Sequence, residues 1–233
     1  MSTPEADIPD YLEKYYWWAY VRPFAVRFWD HSWLINLILF GKYRMLRDEV
    51  LREFGSAISE NTLQISCCYG ELTPRLFERV NKGGGTLDVV DVLPVQLENL
   101  KRKLPQHASV RTLRMDAASL NFSNASYNQV LVFFLLHEEP QGYREKTMRE
   151  ALRVLRPGGK IIIADYGALS RSHPLRYLLL PILDFLEPTA RDLWRQGLVD
   201  ILPNEMLGRS WRKTAYFGGL YQILVSTDSR VSK

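Results

Sequence analysis

Cysteine is almost missing from this chain of 233 residues: there are two, Cys67 and Cys68, side by side. Neighbouring strand residues point to opposite faces, which excludes an ordinary disulfide between them. Two adjacent thiols also match no zinc-ligand spacing. The expectation is a reduced, intracellular protein. Long apolar runs are missing as well. Trp33–Phe40 is interrupted by Asn36 and Tyr177–Leu183 by Pro181, far short of the roughly 20 residues of a membrane-spanning helix. The opening MSTPEADIPD has neither the basic start and apolar stretch of a secretory signal nor the Arg/Ser bias of an organelle presequence. No dense Lys/Arg run occurs and the formal net charge is only +4, so nucleic acid is not an expected partner. A pI near 9.0 is compatible with an anionic ligand or an anionic membrane surface.

Apolar residues are plentiful, at 46%, enough for the core of one enlarged α/β domain or one domain with a cap. Residues 1–55 read as an aromatic helical cap, with helix expected over Tyr11–Val50. Four of the six tryptophans, Trp17, Trp18, Trp29 and Trp33, fall there, with Arg22, Arg27, Lys42, Arg44 and Arg47 interleaved. Such rings either pack on the domain below or, with their basic flanks, meet lipid or a lipophilic substrate.

Residues 56–233 read as a Rossmann-like domain. A strand through Leu63 and Ile65 enters the turn Tyr69-Gly70, and a helix starts at Glu71. Strand, glycine turn and helix open a doubly wound fold whose ligands bind at the carboxyl ends of the strands. Asp91 ends the second strand, Thr86–Asp91, about twenty residues after the glycine turn, where an acid accepts ribose hydroxyls; the alternative is a cap of the next helix. Asp116 follows a short strand over Val110–Met115 and either binds a purine amino group or caps its turn. Tyr127–Leu136 is a continuous apolar run, the mark of a central parallel strand. It ends at His137-Glu138-Glu139, which puts titratable groups at the catalytic edge. A helix to Arg156, a strand over Lys160–Ala164 ending at Asp165-Tyr166, a helical insertion at about 172–202 and a hairpin within Arg212–Val225 complete the order.

That order, with the run ALRVLRPGGKIIIADY, resembles the class I S-adenosylmethionine-dependent methyltransferases. The fold implied is α/β: a seven-stranded, mostly parallel sheet with an antiparallel C-terminal hairpin, a helical N-terminal cap and a helical insertion. More narrowly, YLEKYYWWAYVRP, CCYGELTPRL, LDVVDVLPVQL, FFLLHE and HPLRYL are similar to the rhodoquinone biosynthesis family RquA. The resemblance implies replacement of a ring methoxy group of ubiquinone by an amino group, with S-adenosylmethionine as amino donor and manganese as metal. A typical first motif reads D-V-G-C-G-T-G-x-L-T; here Gln64 replaces the acid and Ser66, Cys68 and Tyr69 replace other positions. An amine without that acidic neighbour has less reason to stay protonated, and only a neutral amine is a nucleophile.

By the same resemblance the cofactor site comprises Gln64, Ser66, Cys67, Tyr69, Gly70, Asp91, Val92, Asp116, Ala117 and Phe133. Tyr69, His137 and Asp165 are candidates for catalysis. His137, Glu138 and Asp165 are candidates for the metal, with Glu139 and His173 as further ones. Tyr15, Trp18, Tyr166, His173 and Tyr177 are candidates for the quinone. The implied setting is the cytoplasm, on the surface of the inner membrane. Two rival readings are an ordinary methyltransferase of a quinone or other lipophilic molecule, and a non-catalytic quinone- or lipid-binding module.

Overall fold

The computed structural model describes residues 8–16, 23–67, 69–106, 108–171, 173–174, 177, 180–181, 188–190, 193–194, 198, 202, 206 and 209–227. Most of the expected insertion and Trp17, Trp18 and Cys68 therefore lie outside the described residues.

Seven strands form one sheet. They are β1 (Asn61–Ile65), β2 (Thr86–Asp91), β3 (Val110–Arg114), β4 (Tyr127–Phe133), β5 (Leu155–Tyr166), β6 (Ser210–Tyr216) and β7 (Tyr221–Thr227), in the order β3-β2-β1-β4-β5-β7-β6. Strands β1 to β5 are parallel, and β7 runs antiparallel to both β5 and β6. This is the expected fold. Leu63, Ile65, Val130, Leu131, Val132, Ile161, Ile162 and Ile163 are fully buried, as central parallel strands covered on both faces require. The strand order reverses between β1 and β4, so their carboxyl ends flank the crevice where ligands of such sheets bind.

Among the described residues the helical N-terminal segment is broken into α1 (Asp10–Tyr15), α2 (Pro23–Trp29), α3 (Ser32–Ile38) and α4 (Tyr43–Phe54). Phe40 and Gly41 both have positive φ, 49° and 75°, which ends the helical path before α4. Helix α4 buries Tyr43, Leu46, Arg47, Val50, Leu51 and Phe54, a stripe at three- and four-residue intervals. It packs beside α5 (Leu72–Gly83), whose inner face is Leu72, Thr73, Leu76, Phe77 and Val80. Two further helices are α6 (Pro94–Lys103) and α7 (Gln141–Val154). Strand β5 begins at Leu155, earlier than the sequence indicates, because Leu155 already pairs with Tyr127 ahead of a register irregularity.

Candidate active site

One cavity opens at the carboxyl ends of β1, β2, β4 and β5. Its wall includes Ser66, Cys67, Tyr69, Asp91, Val92, Asp116, Ala117, Phe133, His137, Glu138, Glu139 and Tyr166. Most of the residues expected from the sequence thus meet at one place. Two non-glycine residues on this wall have left-handed backbones, Ser66 (φ 74°) and Phe134 (φ 50°). Each is the first residue past a central strand. Strain of this kind persists only where the surroundings over-determine it, and it gathers at functional sites.

Asp91 is buried, and its carboxylate organises the β1 loop from β2. Oδ2 accepts from the Cys67 N–H at 2.8 Å, and Oδ1 accepts from the Leu93 N–H at 2.9 Å. Burial raises its pKa to about 6, while those two backbone donors and Ser66 pull the other way. A carboxylate has about four acceptor positions, so capacity remains for hydroxyls of a ligand. Asp91 thus holds the turn before α6, whose own N-cap is Leu93 without a side-chain cap bond, and it lies on the cavity wall.

Two expected cofactor contacts are not on the wall. Gln64 is fully buried beneath the loop, where Nε2 donates to the Ser66 carbonyl and to Thr73 Oγ1, both at 2.9 Å. Its role is support of the loop. The Gly70 N–H is taken by Asp30 Oδ1 at 2.7 Å, and the Gly70 carbonyl by Lys103 Nζ at 2.9 Å. Asp30 also accepts from Lys103 and from Asn99 Nδ2, each at 2.8 Å. Tyr43 completes the clamp, donating to the Tyr69 carbonyl at 3.1 Å and accepting from the Glu71 N–H at 2.8 Å. Gly70, at φ 80°, has no room for a Cβ because the Tyr43 hydroxyl fills that space.

Behind the opposite wall, and not among the lining residues, Asp165 is completely buried. Oδ2 accepts from the N–H groups of Leu136 (2.8 Å) and His137 (3.3 Å), and Oδ1 from the Tyr166 N–H (2.7 Å). His137 Nδ1 lies 3.0 Å from Oδ1. Because the carboxylate offers only acceptors, Nδ1–H is the donor, a tautomer assigned from this network. That leaves Nε2 as the basic nitrogen, 3.8 Å from Glu138 Oε1. The His137 ring meets Tyr166 edge to face at 5.0 Å. Asp165 thus fixes the His137 ring, and an imidazole held this way can exchange a proton through Nε2.

The expected manganese site does not fit these residues. All four acceptor positions of Asp165 are engaged, leaving His137 Nε2 and Glu138 as donors, whereas manganese favours a larger, oxygen-rich set. Among the described residues no group of three or more His, Cys, Asp or Glu side chains could hold a metal ion.

The expected quinone contacts divide. Tyr166 lines the cavity. His173 packs on Phe217 and against Gly218, at the turn between β6 and β7, away from the cavity wall. Tyr177 is 86% exposed and Tyr15 is also at the surface. Trp18 is not among the described residues. The cap instead contributes Tyr11, Trp29, Ile35, Leu39 and Tyr43 to the wall. Of these, Tyr11 was within reach of the sequence, being one turn ahead of Tyr15. Its hydroxyl is pushed well above its ordinary value by burial and by the nearby Glu139, Glu138 and Asp116.

Residues 62–159 match the family model described as a methyltransferase domain. Over 143 residues the chain is 26% identical to the ubiquinone/menaquinone biosynthesis C-methyltransferase UbiE of Rickettsia felis, covering 59% of this chain and 56% of that one. It is 29% identical over 132 residues to the demethylmenaquinone methyltransferase of Staphylococcus saprophyticus, covering 57% and 55%. The chain thus spans about half the length of these curated relatives. Among solved structures, a SAM-dependent methyltransferase from Aquifex aeolicus superposes with a TM-score of 0.58 at 18% identity, covering 88% of this chain and 97% of that one. The PH0226 protein of Pyrococcus horikoshii gives 0.61 at 13% identity, covering 96% and 100%. The architecture is the Rossmann-like fold of S-adenosylmethionine methyltransferases, and the stretch 62–159 is methyltransferase-like in sequence as well.

Proposed function

We propose that this protein is an S-adenosylmethionine-dependent enzyme acting on a polyprenyl quinone, and that it replaces a ring methoxy group of ubiquinone by an amino group, with S-adenosylmethionine as the amino donor. The observation that carries this reading is the rebuilt β1 loop. The acid of the usual motif is a neutral Gln64 whose amide is committed to Ser66 and Thr73, and Tyr69 stands on the cavity wall before Gly70. The amino-acid end of the cofactor therefore meets different chemistry here, while Asp91 keeps its place for the ribose and Asp116 for the adenine. Across the cavity, His137 Nε2, backed by Asp165, accepts the proton that the attacking amine must lose. Tyr69 and Tyr166 orient the ring. The resemblance to the rhodoquinone biosynthesis family supports the same reading.

The quinone's tail gives the cap its second task. Phe24, Phe28, Trp33 and Leu37 on α2 and α3 are exposed, while Trp29, Ile35, Ile38 and the C-cap Leu39 line the cavity. Basic flanks and a pI near 9.0 suit an anionic surface. The reading puts the protein at the cytoplasmic face of the inner membrane, attached peripherally; no described helix is long and apolar enough to cross a membrane.

Nitrogen-labelled S-adenosylmethionine, incubated with protein and ubiquinone, should deliver its label to the quinone in mass spectra. A quinone that gains a labelled methyl carbon, with S-adenosylhomocysteine released, would instead establish methyl transfer. The quinone methyltransferases among the relatives favour that second reading. A protein that binds no S-adenosylmethionine in calorimetry would be a binding module.

A further inference from the structure

Helix α3 is apolar nearly all round. Between Ser32 and Ile38 only Ser32 and Asn36 are polar, and a helix of that composition ordinarily has apolar surroundings on every side. Leu34 and Ile35 meet that rule, being buried. Trp33 and Leu37, one turn apart, are exposed instead, and on α2 Phe24 and Phe28 repeat the same spacing at the surface. Ile38 stands at the border. It lies one turn on from both Leu34 and Ile35, on the inward side of the helix, and it lines the cavity with Ile35 and Leu39. Those two neighbours on the wall are 8% and 7% exposed, but Ile38 is 39% exposed. It therefore sits at the opening of the cavity, and the cavity opens at the end of α3. The charge around this opening has one sign. Neither α2 nor α3 contains an acidic residue, Arg27 and Arg44 are exposed, and Asp30 between the helices is paired with Lys103 at 2.8 Å.

We propose that the polyprenyl tail of the quinone leaves the cavity past Ile38, and that the exposed pairs of α2 and α3 stand in the lipid that receives it. This exit presupposes the polyprenyl quinone reading above, and it holds whether the ring gains nitrogen or carbon. Ring and tail need different surroundings. The ring has to reach His137 at the edge of the sheet, whereas the tail is hydrocarbon and is stabilised wherever it is kept from water. The margin at α3 offers apolar contact without a break: Ile35 and Leu39 inside, Ile38 at the opening, Trp33 and Leu37 beyond it. An apolar face with cationic flanks, whose one acid is already paired, suits an anionic bilayer. A second copy of this chain would bring a margin of the same charge. Ile38 is then a specificity-determining residue for the tail and not for the ring.

The test uses two quinones with the same ring, one without a tail and one with a long polyprenyl tail, the latter presented in anionic vesicles. Ile38→Trp narrows the opening with a residue that suits a membrane interface. It should lower kcat/KM for the tailed quinone about 30-fold, within the range of a single misfitted apolar contact in a pocket. For the tailless quinone the change should be no more than about twofold, and vesicle binding should stay intact. Ile38→Phe, a smaller step, should show the same split at lower amplitude. Leu37→Glu should bind the vesicles about tenfold more weakly. Equal losses on both quinones in both Ile38 variants, or no loss on either, would overturn the exit. So would a loss on the tailed quinone that merely follows a loss of vesicle binding. Unchanged vesicle binding by Leu37→Glu would overturn the lipid side. A wild-type dimer that Leu37→Glu turns into a monomer in sedimentation would do the same, since the outer pair would then face a second copy. A wild type that binds S-adenosylmethionine in calorimetry but consumes neither quinone would overturn the quinone reading along with the exit.

Discussion

The two walls of the cavity are built on opposite principles. On the β1 side, the loop through Ser66–Glu71 spends its polar groups on the protein itself: Asp91, Asp30, Lys103 and Tyr43 between them engage Cys67, Tyr69, Gly70 and Glu71. On the β4–β5 side, only the support is saturated. Asp165 is fully engaged, while His137 on the cavity wall is held by it through Nδ1. A wall whose bonds are internal holds shape, and a wall that presents an imidazole can exchange protons. The first suits the seat of a cofactor and the second the site of reaction.

The sharpest way to break that division is at His137. His137→Gln should lower turnover by about 10³-fold, within the range of general acid–base effects, and leave calorimetric binding of S-adenosylmethionine nearly unchanged. Loss of binding instead would erase the distinction between the walls. Gln64→Glu comes next. A carboxylate there would face the Ser66 carbonyl in a fully buried position, so a stability loss of about 3 kcal/mol is expected in denaturant titration. A stable, active variant would mean that the amide is not what shapes the loop. Tyr43→Phe removes one donor and one acceptor from the clamp and should cost about 2 kcal/mol, read as weaker cofactor binding with kcat little changed. The smallest effect is in pH. Asp91 protonates as pH falls through about 6, and a protonated carboxyl has fewer acceptor positions for ribose hydroxyls, so affinity should fall several-fold between pH 7 and pH 5. Glu139 acts on stability with its own sign. Its pKa is raised on folding to about 8, so its contribution is present at low pH and is lost as pH rises through that value. Thermal melting of Glu139→Gln should accordingly be flatter between pH 6 and pH 9 than that of wild type.

The sheet was legible because each strand announces itself locally. The continuous apolar run of β4, the alternation in β1 and the glycine-rich return before β5 follow from burial and backbone rules within a dozen residues. The clamp was not legible. Asp30 reaches Gly70 across forty positions, and Tyr43 reaches Tyr69 across twenty-six; no periodicity encodes such pairings. Gln64 was placed one layer too far forward because strand parity in β1 turns it toward Thr73 on α5 rather than into the cavity. Asp165 read as a ligand from its position at a strand end, but position could not reveal that three backbone N–H groups would already be using it. Glu139 stood beside stronger-looking neighbours, and only the burial of Oε2 separates it from a surface charge.

The Tyr43 side chain ties the first residue of α4 to the backbone of the turn after β1. Exchanging the first fifty-five residues for those of a relative would therefore disturb more than the choice of substrate. A chimera lacking a phenol at this point and a carboxylate at the place of Asp30 would inherit a slack loop, and the loss would first appear as poor retention of S-adenosylmethionine. Transplanting specificity into this scaffold requires moving the cap and the glycine turn as a single cassette.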